Sequence, residues 1–125
     1  VTGPMMAASD EVVFISQTVR EELARHHVGR KSRLLFNGID NDIFHATARE
    51  PAAQTRSRWG LCETRPLAIF VGRFVEKKGL SVIRELATKR PDVQFALCGK
   101  GPIDPTAWRL ANVHVLGQQP QENLA

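Results

Sequence analysis

Hydrophobic positions change their spacing several times along the chain, and each change marks a new element. Residues 11–16 (EVVFIS) are a short apolar run rich in β-branched side chains, which suits a buried strand. The period then lengthens. Val19 and Leu23 recur at helical spacing, Thr18 and Glu21 stand at capping-box distance, and Gly29 falls where a left-handed C-terminal cap closes a helix. A second strand is expected at residues 33–36. Asn37, Gly38, Ile39 and Asp40 follow as a turn signature, because Asn and Gly tolerate positive φ. The stretch 45–65 is polar, proline-bearing and weakly patterned. One short helix is expected there at 54–60, with Trp59 and Leu61 packing inwards.

From Pro66 the pattern sharpens. Residues 67–71 (LAIFV) are wholly apolar and predict a buried strand. Gly79 to Lys89 places Leu80, Ile83, Leu86 and Ala87 on one helical stripe before Pro91 stops it. Further strands are expected at 93–98 and 113–116, with a helical turn at 105–110 between them. These spacings are too long for hairpins and natural for βαβ crossovers, so the fold class is α/β with a parallel sheet. The weakly patterned stretch divides the chain into residues 1–46 and 47–125. Both ends read as cut, since 121–125 begins a helix that does not complete.

Composition narrows the partners. The chain has 125 residues, a formal charge of +4 and a sequence pI of about 9.6, with basic residues interleaved among Glu and Asp. That distribution favours anionic small molecules or peripheral membrane association over a nucleic-acid surface. Arg25, Arg30, Lys31 and Arg33 form a modest basic cluster, which a solvated helix end explains as well as a membrane does. Cys62 and Cys98 fit no metal or redox spacing and are expected to be free thiols. His26, His27, His45 and His114 show no metal-ligand spacing, and Trp59 and Trp108 are expected to pack. No stretch approaches the roughly 20 apolar residues of a membrane span, so the expected setting is cytoplasmic, at the membrane's inner face if membrane-linked.

In an open parallel sheet, ligands bind beyond the carboxyl ends of the strands. Three loops qualify. The first, residues 72–79, runs from a strand into a helix whose free amide groups favour an anion. There Arg73 can donate two parallel hydrogen bonds to phosphate, Lys78 adds a compact charge, and Gly72 and Gly79 permit close backbone approach. The bland reading is that Arg73 pairs with Glu76 while Lys77 and Lys78 are merely solvated. The second loop, Gly99-Lys100-Gly101-Pro102, suits close approach or is a simple turn. A dinucleotide fingerprint fails there because Asp104 stands where the third glycine belongs. The third, Gly117-Gln118-Gln119, presents backbone to a base or acts as a polar connector.

Taken in order, EVVFIS, the VREEL helix, LLFNGIDNDIF, LAIFVGRFVEKKGL, FALCGKGP and VHVLGQQP resemble the retaining glycosyltransferases of the GT-B architecture. The resemblance implies an incomplete Rossmann-like, GT-B fold: the end of the N-terminal domain with the crossover (1–46), then the first part of a C-terminal nucleotide-sugar-binding domain (47–125). It makes Asn37 to Asp40 a hinge, with Phe44 as an anchor. The family's Gly-Arg-Leu-x-x-x-Lys-Gly motif falls on Gly72, Arg73, Phe74, Lys78 and Gly79, with Phe for Leu; its Arg and Lys hold the donor diphosphate. Its Gly-x-Gly-Pro falls on Gly99, Gly101 and Pro102, and Gly117 and Gln118 fall near the nucleotide base. Arg73 and Lys78 are therefore the expected catalytic cations, stabilising the leaving diphosphate.

The implied donor is a nucleoside-diphosphate sugar, with no cofactor and no metal required. The implied acceptor is a sugar, a lipid-linked sugar or a small molecule. The glycine-rich loop of the family's first domain and its later paired glutamates have no counterpart here, so the chain by itself is not expected to turn over. Two alternatives stay open at this point: a noncatalytic nucleotide- or phosphate-binding module, and a sugar-nucleotide epimerase or phosphorylase of GT-B build.

Overall fold

The computed structural model of the chain describes residues 4, 8–23, 32–44 and 51–124. Gly29, His26, His27, His45, Arg25, Arg30 and Lys31 lie outside the described residues. The chain divides into two compact units, Val1–Asn41 and Asp42–Ala125.

The first unit is a small βαβ element. Strand β1 (Val12–Phe14) pairs in parallel with β2 (Ser32–Leu34), and helix α1 (Gln17–Leu23) follows β1. Phe14 is buried against Val12, Leu23 and Leu34, which is the alternation a half-covered strand requires. The start of α1 differs from the expected capping box at Thr18 and Glu21. Ser16 Oγ accepts the Val19 N–H at 3.2 Å, so Ser16 is the cap, two residues earlier. Glu21 instead accepts from Gln17 Nε2 at 2.7 Å, one turn back on the helix face. The expected turn at 37–40 is also displaced. Residues 35–40 carry no regular element, neither Asn37 nor Gly38 takes a positive φ, and the turn falls at 41–43. Phe36 and Ile39, on either side of Asn37-Gly38, are exposed.

The second unit holds helix α2 (Ala52–Arg58), then strands β3 (Leu67–Val71), β4 (Gln94–Cys98) and β5 (Val113–Gly117) in one parallel sheet, ordered β3-β4-β5. Helix α3 (Leu80–Lys89) connects β3 to β4, preceded by a 3₁₀ turn at Glu76–Lys78; a second 3₁₀ turn, Pro105–Trp108, lies between β4 and β5. The α/β class with parallel pairing is thus the observed one. Helix α2 begins two residues before the expected 54 and ends in a Schellman arrangement. Gly60, at φ 65°, donates to Ser57 O, and the buried Leu61 donates to Arg56 O at 2.9 Å.

The core lies on one face of this sheet. Leu80 and Ala87 from α3 pack with Phe74, Phe95 and Leu97, and Ala68, Phe70, Ile83, Val93, Ile103, Trp108, Leu110, Val113 and Val115 close around them. Leu86, expected on the buried stripe, is 48 % exposed. The opposite face is partly covered: Gln94, Ala96 and Cys98 of β4 are buried, while Ile69 and Val71 of β3 are exposed. The wholly apolar β3, expected as a buried strand, has one side facing solvent. Gln94, 2 % exposed, ties the α2 loop to the sheet: its Oε1 accepts Cys62 N–H at 2.8 Å and its Nε2 donates to Cys62 O at 2.9 Å. Asn112 does the same for the end of α3, with Nδ2 donating to the carbonyls of Ala87, Arg90 and Val93 at 2.9–3.0 Å. Both buried amides are satisfied, as burial demands.

Candidate functional site at the strand ends

All three strands of the second unit run parallel, so their carboxyl ends and the loops that leave them converge on one edge. The loop after β3 is fastened by Phe74. Its side chain is buried at 3 % exposure, with the Phe70 ring 6.2 Å away, and its backbone is bonded on both sides. Phe74 N–H donates to Lys100 O at 3.0 Å, and Phe74 O accepts Ile103 N–H at 3.2 Å. One rung further in, Gly72 N–H donates to Cys98 O at 3.0 Å, and Gly99 N–H donates to Gly117 O at 2.8 Å. Three successive loops are therefore held together by main-chain bonds.

This packing explains the glycines of the second loop. A Cβ at Gly99 would lie 1.9 Å from Gly72 O, and one at Gly101 would lie 2.3 Å from Phe74 O. Gly99 also takes φ 148°, a conformation that side-chain-bearing residues avoid. The Gly-x-Gly pattern thus answers first to the meeting of two loops of the same chain. Gly79 differs: it takes φ 77° as the left-handed residue between the 3₁₀ turn and α3, with open space around it.

Beside this junction lies a cleft of about 670 Å³ lined by Arg73, Lys100, Gln118, Gln119 and Leu124 among the glycines Gly72, Gly99 and Gly101, with Val71 and Cys98. Of the residues singled out in the sequence, it gathers Gly72, Arg73, Gly99, Gly101 and Gln118. Lys78, Gly79 and Gly117 lie outside the lining, Lys78 as the exposed last residue of the 3₁₀ turn. No carboxylate lines the cleft among the described residues. The alternative pairing of Arg73 with Glu76 does not occur among the described residues, where ion pairs such as Arg33–Glu11, Lys89–Glu85 and Arg90–Asp92 are formed. A cleft walled by unopposed cations and main-chain groups favours an anion.

Sequence reasoning places Lys100 and Gln119 in the second and third loops without giving their side chains a role, and passes over Leu124. The signal for Lys100 was its place between two glycines whose backbone is pinned. Gln119 is fixed by donating from Nε2 to Leu116 O at 2.5 Å and accepting from Asn123 Nδ2 at 3.1 Å, which braces the far wall. At the cleft floor, burial pushes the Cys98 thiol above its usual range. No group of three or more His, Cys, Asp or Glu able to hold a metal occurs among the described residues. No described helix is long and apolar enough to cross a membrane.

A second depression, about 500 Å³, follows the outer side of α3 and is lined by Glu76, Leu80, Arg84, Glu85, Lys89 and Trp108 together with Ser81, Thr88 and Ile103. Its charges are mixed, and Lys89 is paired with Glu85 at 2.6 Å.

No protein-family model matches the chain. Over 102 residues it is 28 % identical to the alpha-maltose-1-phosphate synthase of Mycolicibacterium smegmatis, covering 78 % of this chain and 26 % of that protein. Over 125 residues it is 28 % identical to a GDP-mannose-dependent monoacylated alpha-(1-6)-phosphatidylinositol monomannoside mannosyltransferase of Corynebacterium glutamicum, covering 92 % and 33 %. Its fold matches that of the Anabaena protein HepE, crystallised in complex with UDP, with a TM-score of 0.74 at 16 % identity over 99 % of this chain and 40 % of that one. The chain spans about a quarter to a third of the length of the curated relatives it matches.

Proposed function

We propose that this chain, a partial homologue of glycosyltransferases built on the GT-B fold, belongs to an enzyme that moves a sugar from a nucleoside-diphosphate sugar to an acceptor with retention, and that it supplies the donor diphosphate site. The observation that carries this reading is the cleft at the carboxyl ends of β3, β4 and β5, with Arg73 in its wall and no carboxylate among its lining residues. The relatives support the donor class: HepE is described in complex with UDP, and the mannosyltransferase is named for GDP-mannose.

As the glycosidic bond breaks, negative charge accumulates on the departing diphosphate. A guanidinium aimed at that oxygen stabilises the transition state more than the ground state, which is the condition for catalysis. Arg73 takes this role, its planar fork matching two phosphate oxygens. Lys78 adds its charge from the adjoining 3₁₀ turn. Gly72, Gly99 and Gly101 keep the floor of the cleft free of side chains, and Gly117 with Gln118 lies on the side where the base is accommodated.

The experiment is a donor screen on the protein that carries this chain, offering UDP-, GDP- and ADP-sugars and following diphosphate release and product anomeric configuration by NMR. Transfer with retention from one nucleotide class is expected. Arg73→Ala lowers turnover roughly 10- to 1000-fold, the usual cost of one electrostatic donor. Normal turnover in Arg73→Ala overturns the assignment. Binding of UDP and GDP no tighter than inorganic phosphate, with no transfer, replaces it with a phosphate-binding module.

A further inference from the structure

Diphosphate esters carry about two to three negative charges at neutral pH, so a single guanidinium in the cleft wall leaves part of the guest's charge unmatched. The cleft wall holds a second cation beside Arg73. Lys78 lies outside the lining, whereas Lys100, from the loop after β4, lies inside it with Arg73. The two residues are locked side by side: the amide that follows Arg73, that of Phe74, donates to the carbonyl of Lys100 itself at 3.0 Å. Lys100 is held on each side by a glycine that tolerates no Cβ. Its backbone is fixed, while its side chain is exposed and forms no ion pair among the described residues.

From this placement we infer that Lys100 is a diphosphate-binding residue, completing with Arg73 a two-cation clamp across the first and second strand-end loops. The inference rests on the donor-site reading above and extends it to a residue of the other loop. A fixed backbone with a long, unengaged side chain is suited to this task, because only the side-chain rotamers are ordered on binding. The ammonium acts as a point charge, so it serves any phosphate oxygen within reach and sets affinity more than orientation.

NMR titration of the chain with UDP and with uridine, at two salt concentrations, tests it. Lys100→Ala is expected to weaken UDP binding roughly tenfold, to leave uridine binding unchanged, and to flatten the salt dependence of UDP binding, with Lys100→Arg restoring most of the affinity. Arg84→Ala, on the groove beside α3, is expected to bind UDP as the parent chain does. Lys100 is exposed, so melting temperatures of the variants should match the parent, and Lys100→Gln serves as a second neutral variant. UDP affinity within twofold of the parent in both neutral variants overturns the inference while the donor reading stands. An equal loss for UDP and uridine also overturns it, since that reports damage to the cleft rather than a lost charge. A parent chain that binds neither UDP nor GDP removes the donor reading and this inference with it.

Discussion

The cleft at the strand ends and the groove along α3 are depressions of similar size on the same unit, yet they differ in charge and in how they are built. Among the described residues the cleft has Arg73 and Lys100 and no carboxylate; the groove mixes Glu76, Glu85, Arg84 and Lys89, with one pair already closed between Lys89 and Glu85. Residues adjacent in sequence are divided between them. Arg73 and Glu76, three apart, line different depressions, because the 3₁₀ turn at Glu76–Lys78 carries the chain from the strand-end loop to the flank of α3. Conversely, Arg73 and Lys100, 27 positions apart by their residue numbers, share one wall. Local charge density in a sequence is therefore a poor guide to where charge accumulates. Main-chain bonds between loops decide it here.

If that construction holds, the strongest way to break the difference is to force the two loops apart. Gly99→Ala and Gly101→Ala each place a methyl group inside the van der Waals distance of a fixed carbonyl, 1.9 Å from Gly72 O or 2.3 Å from Phe74 O. Backbone must move, and Gly99 adds the strain of its positive φ. Each change is expected to cost about 3 kcal/mol or more, lowering the melting temperature by roughly 10 °C and abolishing UDP binding. Thermal denaturation with the NMR titration checks both; a melting temperature within about 2 °C of the parent would contradict the loop junction described here.

A milder change marks the contrast on the side of α3. Gly79→Ala meets no atom within 4 Å, so only its φ of 77° is penalised. The expected loss is about 1–2 kcal/mol, a shift of a few degrees, clearly smaller than for Gly99. Equal losses at the two positions would show that conformation, not collision, governs both.

Much of this arrangement was legible in the sequence. The bounds of β3 match the apolar run 67–71, and α3 and β4 begin within one residue of their expected starts, because the change from continuous apolar residues to a 3.6-residue stripe is unambiguous there. The first unit was read less well for local reasons. Ser16 and Thr18 are both competent caps, and which hydroxyl meets a free amide depends on where β1 releases the chain. Asn37-Gly38 carries turn chemistry that this backbone does not use. At the site, the glycines were noticed for the room they leave a ligand, whereas Gly99 and Gly101 are required by a neighbouring loop. Lys100 was read only as part of a glycine loop, because no pattern within one loop shows that another loop donates to its carbonyl.

The smallest effect separates the cleft from the loop after α2 by their cysteine chemistry. The thiolate is the species that alkylates, so a lower pKa increases the reactive fraction at a given pH and a higher one decreases it. Cys62 is exposed, and its thiol is lowered first by hydrogen bonding with the Thr64 hydroxyl, 3.6 Å away, and then by the backbone amides of Thr64 and Arg65. Cys98 is buried at 6 % exposure, and desolvation raises its thiol. At neutral pH iodoacetamide should therefore modify Cys62 first, with Cys98 slower by roughly tenfold or more and gaining as pH rises beyond the usual thiol range. Because Cys98 lines the cleft while Cys62 lines neither depression, UDP should slow labelling at Cys98 and leave Cys62 unaffected. Peptide mapping by mass spectrometry over a pH series resolves the two rates. Protection by UDP at Cys62, or its absence at Cys98 under saturating UDP, would move the ligand out of the cleft to which Arg73 and Lys100 have been assigned.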